Sequence, residues 1–120
     1  MEREILLIGA DGGAARHCRL VRCRPEASAV ILLCGDDRFL LGDVRRLAPN
    51  WFFALREGEA ALLGTAPDTP VDVFCRVFIP EKRPQDAGFR LDSLIVVAHE
   101  SGRALETRRP GAPVVPLVQR

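Results

Sequence analysis

The residues best placed to do chemistry sit early in the chain, in ILLIGADGGAARH at positions 5–17. A short apolar strand followed by glycines is how phosphate-binding strand–helix turns begin, because glycine lets backbone N–H groups approach a phosphate. Here the glycines fall at 9, 12 and 13, which fits neither GxGxxG nor GxxxxGK[ST]. Were 14–22 the helix after such a turn, Asp36-Asp37 would follow the next strand as an acidic cluster. A small α/β nucleotide- or ligand-binding domain with a Gly-rich turn at 9–13 is therefore the alternative reading of the chain.

Other reactive types are scattered. Cys18, Cys23, Cys34 and Cys75 with His17 and His99 are the soft ligands available. They form no CxxC pair and no usual zinc spacing, so no metal and no other cofactor is expected. The cysteines read as four free, mostly buried thiols, since a thiol packs as a small apolar group. Ser28, Ser93 and Ser101 are the serines, and none lies in GxSxG. Ser101 is two residues from His99, in a stretch that reads as a turn, where serine is common. His17 and Cys18 are adjacent, and neighbours on a strand face opposite ways, so they would not meet as base and nucleophile. Asp36, Asp37 and Asp43 would need a cleft to act as paired carboxylates, and a solvated turn explains them better. Arg16, Arg19, Arg22 and Arg24 form a basic stripe with no interleaved aromatic, so the stacking platform of single-strand binding is missing. No catalytic residue is nominated, and the chain is read as not an enzyme.

The elements that would position these residues are mostly strands. Residues 5–8 form a short apolar strand, broken by the glycines that follow. Residues 17–24 alternate imperfectly, as a strand or a helix, and Pro25 ends them. Residues 28–34 are a continuous apolar run that reads as a buried strand, and Gly35-Asp36-Asp37 turns the chain. Residues 38–47 are ambiguous. Residues 51–55 are aromatic and strand-like. Residues 57–63 favour a short helix, with Gly64 where a helix-terminating glycine stands. The clearest strand is 71–79, with Val71, Val73, Cys75, Val77 and Ile79 on one face and Asp72, Phe74, Arg76 and Phe78 on the other. After a charged Pro/Gly loop comes a second long strand, 89–98, with Phe89, Leu91, Ser93, Ile95 and Val97 on one face. Nine residues separate Ile79 from Phe89. A parallel crossover needs about a dozen or more, so the two strands should be antiparallel neighbours. Residues 99–102 read as a hairpin turn, and 103–107 return. The tail PGAPVVPLVQR holds three prolines, which limits it to an edge strand or an extended arm.

These elements add up to a mainly β, antiparallel β-barrel-like single domain, 1–120, with one short helix. At 120 residues the chain is long enough for one real core. A net charge of +1 gives no global field to gather nucleic acid or an acidic surface. Glu2-Arg3-Glu4 does not open a secretory signal. The longest apolar run, 29–34, is far too short to span a bilayer. No nucleic-acid or membrane partner is expected, and the chain is read as cytoplasmic.

In their order the landmarks EILLI, CRLVRCRPEASAVILLCGD, PNWFFALREGEAALLG, VDVFCRVFIPE, FRLDSLIVVAHESGRALE and VVPL resemble the bacterial flagellar assembly factor FliW family, over nearly the whole chain. The family's opening strand and its Phe-Pro-x-Gly segment have no counterpart, which implies an N-terminally short chain. Arg90-Leu91 stands where the family has Asn-Leu, Leu94 where a proline is expected, Asp36-Asp37 for Asp-Pro, and Trp51-Phe52 for an Asp-Tyr pair. The resemblance implies a β-barrel that binds proteins: a CsrA-like translational regulator or, alternatively, flagellin. Phe74, Phe78, Arg90 and Leu91 are the partner-binding candidates. The face carrying Phe74 and Phe78 reads either as a second core layer or as an exposed aromatic anchor.

Overall fold

Alternating burial along the strands organises the computed structural model, which describes residues 2–10 and 13–116. Strand β1 (Glu2–Ile8) turns Ile5 and Leu7 inward and pairs antiparallel with β2 (Ala15–Val21) from Glu2↔Val21 to Ile8↔Ala15. The helix that the α/β alternative needs at 14–22 is thus a strand, and the glycine segment joins two antiparallel neighbours. Asp11 and Gly12 of that segment lie outside the described residues. Strand β3 (Ala29–Cys34) joins β4 (Asp37–Asp43) through Gly35-Asp36. Gly35 has φ 60°, the positive value that a two-residue hairpin turn asks of its first residue. Strands β5 (Val71–Phe78), β6 (Gly88–Ala98) and β7 (Arg103–Arg108) continue the meander. The 3-10 turn Pro84–Asp86 sits in the charged loop.

The barrel closes where β7 meets β1, with Leu6↔Arg103, Leu7↔Ala104 and Ile8↔Leu105 in parallel. One parallel contact is unavoidable. Directions alternate along seven sequential strands, so the first and the seventh run the same way. The expected barrel is there, with mixed rather than purely antiparallel pairing. Strand β8 (Val114–Pro116) adds to β6 outside the ring, as the edge strand its prolines allow.

Two cores result. Ile5, Leu7, Cys18, Leu20, Val30, Leu32, Leu41, Phe74, Ile95 and Val97 fill the barrel. Val71, Val73, Cys75, Phe89, Leu91, Leu94, Val96 and Leu105 face outward and are covered by the β4–β5 connection. That connection carries helix α1 (Val44–Leu47), an irregular stretch, and helix α2 (Glu57–Leu63), which ends at Gly64 in the left-handed region at φ 69°. Strand β5 is therefore buried on both faces along 73–75.

Four expectations change. Strand β3 is not buried throughout: Val30, Leu32 and Cys34 point inward, and Ile31 on the solvent side is 37% exposed. Residues 51–55 form no strand; Trp51, Phe53 and Leu55 pack on the outer core without a ladder partner. Strand β6 does not keep one face, because the register slips between Cys75 and Arg76, which pair with Leu94 and Arg90. The slip leaves Leu91, Asp92 and Ser93 without partners on β5 and reverses the alternation. Phe89 and Leu91 then share the outer core with Leu94 and Val96, while Ile95 and Val97 enter the barrel. Finally, the thiols are not all free: Cys18 and Cys34 form a disulfide, leaving Cys23 exposed and Cys75 buried. Continuing the pairing Arg19↔Leu33 by one step sets 18 opposite 34, with the Cα atoms 4.5 Å apart.

Candidate protein-binding face

Beyond the register slip β5 keeps one pair with β4, Leu41↔Arg76, and the ends of β5 and β6 take up β8, forming a three-stranded flap. Its rows are Arg76↔Arg90↔Val114, Val77↔Phe89↔Val115 and Phe78↔Gly88↔Pro116. The middle row packs on the outer core. The first and third rows share the opposite face, because side chains alternate. That face presents Phe78 at 37% and Val114 at 52% exposure, and Ile79 follows at 57%. Two guanidinium groups border it. Arg90 donates to both carboxylate oxygens of Asp92, at 3.2 and 2.9 Å, and the hydrogen bonds from Arg90 hold the Asp92 carboxyl below its ordinary range. Arg76 lies 5.1 Å over the Phe39 ring. Gly88 is part of this construction: a Cβ there would lie 2.9 Å from the Val115 carbonyl oxygen and 3.1 Å from the Phe78 ring.

The four nominated residues separate into two pairs. Phe78 and Arg90 lie on the exposed face of the flap. Phe74 is 1% exposed inside the barrel, with the Arg22 guanidinium 5.9 Å from its ring, and Leu91 is 1% exposed in the outer core. For Phe74 the second-core-layer alternative describes its place; for Phe78 it does not. Sequence reasoning passed over Ile79 and Val114. A period-two pattern assigned Ile79 to the buried stripe, and prolines obscured the pairing of Val114. A second apolar surface lies at the irregular stretch, where Phe52 is 83% exposed beside a groove of about 580 Å³ that Pro49, Trp51, Pro67 and Pro70 help to line.

Several of the groups that could have carried chemistry have structural partners. The Ser101 hydroxyl donates to the Leu63 carbonyl at 2.7 Å and accepts from the Arg103 N–H, tying the β6–β7 turn to the end of α2. Asp43 caps α1 by accepting from the Arg45 N–H and pairs with Arg22 at 2.9 Å. Burial pushes the Cys75 thiol up to about 11, so it stays protonated and unreactive at neutral pH. The arginine stripe divides between two faces, with Arg16 near Asp37, Arg19 near Glu2 and Arg22 on Asp43. Glu59 is enclosed by Arg109, Thr107 and the Arg56 N–H, and Arg109 also caps the Phe53 ring at 4.8 Å. Burial alone would raise the Glu59 carboxyl, but these hydrogen bonds outweigh it and hold the group at about 2. The cluster clamps α2 to β7, beside a groove of about 470 Å³ that Arg56, Glu59 and Thr107 help to line. Among the described residues no His/Cys/Asp/Glu group is arranged to hold a metal ion, and no helix is long and apolar enough to cross a membrane.

No protein-family model matches the sequence, and no curated protein matches it. The fold does have a solved counterpart. The crystal structure of the flagellar assembly factor FliW superposes with a TM-score of 0.68 at 14% identity, over 83% of this chain and 71% of that one. At that identity the likeness concerns the fold: this chain has a FliW-like barrel.

Proposed function

We propose that residues 1–120 act as one β-rich, non-enzymatic protein-binding domain in the cytoplasm, with a role in flagellar assembly and translation regulation. Its partner is a CsrA-like translational regulator or, alternatively, flagellin. The observation that carries this reading is the shared fold with a flagellar assembly factor over 83% of the chain. The flap supports it, because exposed apolar side chains rimmed by arginines suit a protein partner. Within the reading, Phe78 and Arg90 are contact residues, and Phe74 and Leu91 hold the flap's supporting cores. Titration calorimetry of the purified chain against a CsrA-like protein and against flagellin tests it. Binding to one of them, weakened at least tenfold by Phe78→Ser, is expected. Absence of heat with both proteins refutes the partner assignment.

A further inference from the structure

We propose that the Cys18–Cys34 disulfide is a redox-responsive staple that sets how firmly the barrel is closed between its two N-terminal hairpins. The pairing pattern carries the proposal. Hairpin β1–β2 is held by seven register pairs and hairpin β3–β4 by six, but the β2–β3 seam between them has three: Arg19↔Leu33, Leu20↔Leu32 and Val21↔Ile31. Side-chain bonds secure the two ends of this short seam. At one end Arg22 donates to the Ala27 carbonyl at 2.7 Å and to Asp43 at 2.9 Å. At the other end the disulfide occupies the next register position, 18 opposite 34, at the barrel rim.

The bond is buried, with Cys18 at 4% and Cys34 at 3% exposure, yet it lies at the rim. Cys34 is followed by the exposed turn residues Gly35 and Asp36, and a Cβ on Gly35 would meet nothing within 4 Å. A groove of about 440 Å³ lined by Glu4, His17, Arg19 and Leu33 lies on the outer face of the same strands, so the approach to the bond is from the turn at 35–36.

The reaction is ordinary thiol–disulfide exchange with a small dithiol or a protein dithiol. One reductant thiolate attacks a sulfur of the Cys18–Cys34 bond and forms a mixed disulfide, releasing the other cysteine as thiolate. The second reductant thiol then displaces the remaining cysteine. The reductant ends as a disulfide, and Cys18 and Cys34 end as two thiols, having gained two electrons and two protons. Disulfides persist in oxidising compartments and are transient and redox-sensing in a reducing one. The strength of the β2–β3 seam therefore follows the thiol–disulfide balance around the protein. The free thiols remain apolar enough to stay in the core, so reduction loosens the seam without emptying the interior.

The test is hydrogen exchange on the full chain, purified without reductant and then treated with dithiothreitol. Alkylation under denaturing conditions should label two cysteines, Cys23 and Cys75, before reduction and four after it. On reduction, amide exchange at 19–21 and 31–33 should rise at least tenfold while exchange at 94–97 stays unchanged. The double variant Cys18→Ala/Cys34→Ala should match the reduced protein and ignore dithiothreitol; if it fails to fold, the wild-type reduction series alone decides. Four labelled cysteines before reduction overturn the proposal. So does an exchange pattern that reduction leaves unchanged, or one that rises equally throughout the barrel.

Discussion

Replacing Glu59 by glutamine keeps the side chain's shape and one acceptor oxygen but removes the charge that Arg109 faces. The two side chains are 11% and 15% exposed and meet at 2.7 Å, so water screens them little. The Glu59 carboxyl falls from an ordinary value of 4.5 to about 2. At about 1.4 kcal/mol per unit, that difference corresponds to roughly 3 kcal/mol of stability at neutral pH. A loss of that size lowers Tm by about 10 °C in a domain of this length. The sign follows from linkage. The folded carboxyl is the stronger acid, so its contribution is complete above the unfolded value and disappears as pH falls through the folded one. Urea unfolding of wild type and Glu59→Gln at pH values from 7 down to 2 reads both quantities. The stability difference should be full at pH 7, shrink below about 4.5, and nearly vanish near 2. A difference under about 0.5 kcal/mol at pH 7, the usual scatter of surface substitutions, would refute the clamp. A difference that stays constant down to pH 2 would show that charge is not its basis.

Three further outcomes are expected. Phe74→Ser should cost about 3–5 kcal/mol by emptying the barrel core and burying a hydroxyl, whereas Phe78→Ser, on the flap, should cost under about 1 kcal/mol; equal losses in chemical denaturation would contradict the two placements. Gly88→Ala should destabilise by about 1–3 kcal/mol, the usual cost of overpacking, since the methyl meets the Val115 carbonyl oxygen at 2.9 Å; an unchanged denaturation midpoint would mean that β8 is not seated there. Phe52→Ser should leave stability within about 0.5 kcal/mol of wild type, as for exposed positions generally; a larger loss by thermal melting would show that this ring, 83% exposed here, is covered in solution.

Much of the fold could be read from local pattern. The nine-residue link between Ile79 and Phe89 allowed only an antiparallel pair, and β5 and β6 are such a pair. The glycine at 64 marked the end of α2, because few other residues adopt φ 69° without strain. The irregular stretch was misread because Trp51, Phe53 and Leu55 alternate as strand residues do. Alternation reports which side chains are buried, and a strand also needs a neighbour with free hydrogen-bonding groups. The disulfide was missed for a related reason: positions 18 and 34 belong to separate hairpins, and their spacing of 16 says nothing about register.

Of the candidate site, the sequence nominated two residues that are exposed and two that are buried. It could not separate them, since Phe74 and Phe78 occupy equivalent places in a period-two pattern. The separation comes from the slip between Cys75 and Arg76, beyond which β5 makes one last pair with β4 and continues into the flap. Alternation and turn residues, which act over a few positions, determined that this chain is mainly β, with an antiparallel pair at 71–79 and 89–98, a hairpin turn at 99–102 and a proline-restricted edge. Which faces are covered depends on contacts between residues far apart in the chain. Only the tertiary structure decided that Leu91 is buried, that Arg90 and Val114 share an open face, and that Cys18 meets Cys34.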